Sequence, residues 1–206
     1  MSTAETVSAS LSEVVDDSAL ELVVDLRLAF GRLLAALGAN ERAEKEHLDT
    51  AELSLSQGWT ESACAALALA SHAAQARGDR ASSGRAWRQC RDAMESWPMN
   101  RPGERCGILV DAVGDPLVAV QVLSALAEIL VDGVEEDHSR APIIREIISR
   151  ASEQASRCVS PPQGAVESLA RVEERVAPYG RGRGGRRRPG STTTITTDGQ
   201  AAAGGE

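Results

Sequence analysis

Apolar residues recur along the chain at intervals of three and four, the period of an α-helix, and the runs they form stop at glycines, prolines and Asx residues. Ser18 with Glu21 three residues on has the form of a capping box, and it opens a run with Leu22, Leu26, Ala29, Phe30, Leu33, Leu34 and Leu37 on one broad face. The spacing predicts a helix over about 19–38. A second helix is expected from Glu41 to about Gln57, capped by Asn40, charged in its first half and inward-facing at Ala43, Leu48, Ala51 and Leu55. The third run, Glu61 to Arg77 behind Thr60, is nearly all Ala, Leu, Ser and Cys, and should be the most buried of the set.

Asp79 is expected to cap a fourth helix to about Ser96, ended by Trp97-Pro98 because the residue before a proline is pushed out of helical geometry. Pro102 to Val113 reads as a fifth helix and Leu117 to Val131 as a sixth. The valines at 118, 120 and 122 would suit a strand, but the run is long and places Leu123, Leu126, Ala127 and Leu130 at helical spacing. A seventh helix starts near Ser139 and runs to Cys158, and an eighth spans Gln163 to about Val176, with Val166, Leu169, Val172 and Val176 as its stripe. Aromatic residues make up 2% of the chain and hydrophobic residues 42%. A core built from such small and aliphatic side chains favours helix-on-helix packing, so the fold class is all-α.

Length changes the picture little: 206 residues suit one domain with tails. The boundaries read as an acidic, disordered stretch over 1–17, a helical domain over 18–177, and a disordered Arg/Gly- and Thr-rich tail over 178–206. Within the domain the helices pair as hairpins at about 18–58, 60–97, 101–133 and 139–177. Charge is divided along the chain. From Tyr179 onward five arginines face Asp198 and Glu206, and taking that +3 from the net −8 leaves −11 on the rest. An acidic body argues against phosphate binding through the folded part, and only the tail could supply it.

The cysteines, Cys64, Cys90, Cys106 and Cys158, show no Cys-x-x-Cys pair and no metal-ligand spacing with histidine, which suits reduced, buried thiols. The N-terminus lacks a basic segment followed by an apolar run, and no apolar stretch reaches membrane-spanning length. A cytoplasmic protein is expected, with no membrane partner.

The turns carry the strongest organising signal. Gly38-Ala39-Asn40, Gly78-Asp79 and Gly114-Asp115-Pro116 each stop one helix at a glycine and start the next near an Asx residue. Superimposed on these glycines, the chain has Gly31, Ser71 and Gly107 seven residues before the turn and Ala43, Ser83 and Ala119 five after it. All six are small, as helices that cross closely require. In this the chain resembles the tetratricopeptide repeats, over roughly residues 19–131 and less closely to 177. It departs from them in turn spacing, and in carrying Leu34, Ala74 and Val110 where that family has tyrosine. The resemblance implies antiparallel hairpins stacked as a short right-handed α-solenoid, with the first helix of each pair along a concave wall that binds a peptide or partner helix. The groove-facing positions it implies are Asp25, Leu28 and Arg32, then His72 and Gln75, then Arg101, Glu104, Ile108 and Asp111.

Candidate chemistry is sparse. His47 sits on a charged face, His72 in an alanine-rich helix and His138 in a connector, and each reads as a satisfied or solvated imidazole. No nucleophile elbow or phosphate loop is present, so no catalytic, cofactor-binding or metal-binding residue is expected. The arginines at 80, 85, 88 and 91 form a basic face on the fourth helix. Arg181, Arg183, Arg186, Arg187 and Arg188 form an Arg/Gly segment able to contact nucleic-acid phosphates. The function expected is a non-enzymatic adaptor or regulatory module. The alternatives are a nucleic-acid-associated protein using the arginine tail, and a small all-α ligand-binding regulator or enzyme.

Overall fold

The computed structural model describes residues 17–97 and 100–180. The acidic stretch before Asp17, Pro98, and the tail with Arg181, Arg183, Arg186, Arg187 and Arg188 lie outside the described residues. Among the described residues there are eight α-helices and no strand: α1 Asp17–Ala36, α2 Asn40–Ser56, α3 Thr60–Ala76, α4 Arg80–Glu95, α5 Pro102–Val113, α6 Pro116–Val131, α7 Arg140–Arg157 and α8 Gln163–Val176. A short 3₁₀ turn, Ala177–Gly180, follows. α1 packs on α2, α2 on α3 and α3 on α4. α5 turns back onto α3, and α6 packs on both α7 and α8. The succession is compatible with a helical repeat.

Helix ends follow local chemistry. Gly38, Gly58 and Gly78 all take positive φ, between 74° and 83°. At Gly38 the N–H donates to the Ala35 carbonyl and that of Ala39 to Leu34, and Gly58-Trp59 and Gly78-Asp79 repeat the two bonds. This paired 5→2 and 6→1 closure satisfies carbonyls that the helix leaves unpaired, and only glycine takes the left-handed position without strain. Asp79 caps α4 by accepting from the Ser82 N–H at 2.9 Å, and Asp115 caps α6 by accepting from Leu117 and Val118, with Pro116 in the first turn. Asn40 and Thr60 do not cap as expected. Each is already the first helical residue, and Ala39 and Trp59 occupy the cap positions without a side-chain bond. Ser18 likewise lies inside α1, which is already helical at Asp17.

The core centres on α3, whose residues Ala63 to Ala70 are all buried, and on α6, buried from Val122 to Ala127. Alanine lets neighbouring backbones approach, and α2, α4 and α5 all pack around α3. Cys64 and Cys90 face each other across the α3–α4 contact, each thiol directed at the other's carbonyl, with Cys90 Sγ 3.4 Å from Cys64 O. Their hydrogen bonding and burial push the Cys90 thiol above its ordinary range. Burial, reinforced by Glu146, raises Cys106 to about 11. These remain thiols.

Two inward faces differ from expectation. α1 buries Val24, Leu28, Gly31 and Leu34, whereas Leu22, Leu26, Phe30, Leu33 and Leu37 are exposed. α2 buries Ala43, Glu44, His47, Thr50, Ala51 and Ser54, leaving Leu55 exposed and Leu48 half-buried. The polar members of that stripe are mostly satisfied nearby. Thr50 and Ser54 donate to the carbonyls one turn back, and Glu44 accepts from Arg77 on two nitrogens.

Candidate functional site

Helix α3 and its turn, α4, α6 and α8 enclose an open groove of about 770 Å³. Its walls come from small residues where the helices run close: Ser71, Ser83, Gly84, Ser124, Gly164 and Ser168. Ser71 and Ser83 meet across the α3–α4 crossing, Oγ to Oγ at 3.0 Å, and Ser71 Oγ also donates to the Ser83 carbonyl at 3.1 Å. These are the small positions that the turn register pairs. Ser124 Oγ donates to the Ala165 carbonyl at 3.2 Å, holding α6 to the start of α8.

Trp87 stands half-buried in the groove wall. At one end Arg91 reaches across to Glu128 at 3.5 Å, and Ser168 donates to the other oxygen of the same carboxylate. The groove therefore offers an aromatic face, hydroxyls and both signs of charge. That mixture suits a polar chain with an apolar anchor.

A second cleft, of about 430 Å³, lies between α1, α2, α3 and the α5–α6 turn, lined among others by Arg32, His47, His72 and Asp115. Its charged groups are already engaged. Arg32 Nη1 donates to the Ala112 carbonyl at 2.5 Å, tying α1 to the last turn of α5, where the helix dipole favours a cation. Asp115 caps α6. His47 is buried against α1 with Nδ1 unpartnered, and burial, with Arg32 adding to it, lowers its pKa to about 4. Its imidazole is neutral near pH 7, in place of the satisfied or solvated ring expected on a charged face. The cleft holds one engaged cation, one engaged carboxylate and two imidazoles, without a hydrogen-bonded nucleophile and base.

The residues expected to bind a partner do not share one surface. Arg32 and His72 line the cleft, and Gln75 lines the larger groove. Arg101 and Glu104 pair with each other at 3.5 Å at the start of α5, both exposed. Asp25 and Asp111 are exposed on α1 and α5. Leu28, expected to face the groove, is buried in the core, and Ile108 is exposed. The basic face of α4 divides: Arg80 and Arg91 border the groove that holds Trp87, and Arg85 lines a separate cleft of about 790 Å³ between α2, α3 and α4. Ser71 and Ser83 stood out in the turn register, but Ser124, Ser168 and Trp87 carried no such signal. Their roles depend on which helices α6 and α8 meet.

Among the described residues no three His, Cys, Asp or Glu side chains are grouped to hold a metal. No described helix is long and apolar enough to cross a membrane. The chain matches no family model, no curated protein and no solved structure.

Proposed function

We propose that this chain is a non-enzymatic, cytoplasmic interaction module of tetratricopeptide-like build, and that the groove between α3–α4 and α6–α8 receives an extended peptide or a partner helix. The supporting observation is the groove itself, walled by small hydroxyl residues around Trp87. Small walls admit a backbone, hydroxyl oxygens whose protons are donated within the groove can still accept from its N–H groups, and a half-buried tryptophan offers the kind of anchor on which binding energy concentrates.

Selection of a random peptide library on the immobilised full chain tests this reading. Binders should lose at least about tenfold in affinity with Gly164→Trp, which fills the groove, and with Trp87→Ala, which removes the anchor, helix content being unchanged. Binders indifferent to both variants would place the function elsewhere. Steeply salt-dependent binding to RNA that disappears when the chain is cut at Tyr179 would favour the nucleic-acid reading.

A further inference from the structure

Nine large hydrophobic side chains are exposed among the described residues; five of them, Leu22, Val23, Leu26, Phe30 and Leu33, lie on α1, and a sixth, Leu37, directly follows it, each 38% to 73% exposed. They form one stripe. Leu22, Leu26, Ala29, Leu33 and Ala36 follow the alternating spacing of four and three that marks a coiled-coil seam, with Phe30 and Leu37 alongside. The opposite face of the same helix, at Val24, Leu28 and Gly31, is packed in the core. α1 is therefore apolar on two sides, and the fold covers one of them.

The ends of the array differ in this respect. α8, at the far end, turns Leu169, Val172 and Val176 inward and exposes Glu167, Arg171, Glu173, Glu174 and Arg175. A stacked helical array needs a polar outer face at each end, and α8 supplies one where α1 does not. Head-to-tail growth would set α1 against this charged end. A two-fold arrangement sets the stripe against itself.

We propose that α1 pairs with α1 of a second copy, antiparallel, to make a symmetric dimer. Charge sets the direction. Six carboxylates, at positions 5, 13, 16, 17, 21 and 25, precede the first base at Arg27. Asp17, Glu21 and Asp25 lie in the first half of α1, so parallel pairing would bring these acidic halves together and antiparallel pairing carries them to opposite ends. In that register Leu22 meets Leu33 of the second copy, and Leu26 meets its Ala29, a large residue against a small one. Six side chains per copy, at roughly 100 Å² each, bury on the order of 1,200 Å² in total, the lower end for a stable specific interface.

Sedimentation equilibrium of the full chain tests the dimer. It should sediment as a dimer at micromolar concentration, and Leu26→Glu with Leu33→Glu should give a monomer with unchanged helical circular dichroism. A wild-type monomer overturns the proposal, and so does a dimer that survives both substitutions. A monomer that associates only after removal of residues 1–16 would show the stripe covered by the chain's own N-terminus, and also overturns it. Orientation is read by oxidation in a Cys158→Ser background. Leu22→Cys mixed with Leu33→Cys should cross-link where neither does alone, and self-cross-linking of Leu22→Cys alone would refute the antiparallel arrangement.

Discussion

The imidazole of His47 lies so close to the backbone of Gly31 that a Cβ on residue 31 would overlap the ring. Gly31 and Gly107 occupy the same place relative to their turns, yet nothing comes within 4 Å of a Cβ built at Gly107. The same small residue answers two different needs.

Alanine at these two positions should act in opposite directions. Gly31→Ala forces His47 to move and should cost roughly 1–3 kcal/mol by overpacking. Gly107→Ala gains helix propensity inside α5 and should stabilise by about 0.5–1 kcal/mol. Urea midpoints of the two variants against the parent check both signs.

Stability should fall on mild acidification because of His47. Its folded pKa of about 4 lies below the ordinary value of 6.5, so the unfolded chain takes up the proton first. The stability is intact above pH 6.5 and declines as pH drops toward 4, by about 3 kcal/mol in all. His47→Leu has no proton to bind and should lack this decline, leaving the carboxylate titration at lower pH. Melting temperature measured from pH 7 to 4 on both proteins shows the difference.

Arg105 of α5 is salt-bridged to the buried Glu61 at the start of α3. Arg105→Ala would leave that carboxylate buried without its partner and should destabilise by roughly 1–3 kcal/mol. Glu61→Gln combined with Arg105→Ala should recover part of the loss, since a neutral amide costs less to bury. A double-mutant cycle in denaturant measures the coupling.

Caps offer a paired comparison as well. Asp115→Ala removes an acceptor from two N–H groups of α6 and should cost about 1 kcal/mol. Asn40 makes no cap bond, and Asn40→Ala should be close to neutral. Thermal unfolding of the two single variants is sufficient.

How far these features could be read from the chain depends on the range of the forces behind them. Helix ends answer to neighbours a few residues away: a glycine free to take positive φ, an Asp able to reach an N–H, a proline that fits the first turn. Gly38, Gly78, Gly114, Asp79 and Asp115 therefore announce the turns in the bare sequence, and most helix boundaries agree with the structure to within two residues. The small residues paired by the turn register also meet at Ser71 and Ser83, because helices leaving a short turn must cross near it.

Which face of a helix turns inward is decided at longer range. α1 carries apolar residues on two sides, and the periodicity favours the leucine-rich one. Packing against α2 and α3 favours the other, where Leu34 meets Ala43 and Ala73, and Gly31 makes room for His47. The groove likewise needs α6 and α8 to face α3 and α4, a relation between residues 71 and 168 that no local pattern contains. Local sterics and capping write the helices into the sequence. Burial is shared among helices distant in the chain, and it decides both the lining of the groove and the side of α1 that is left exposed.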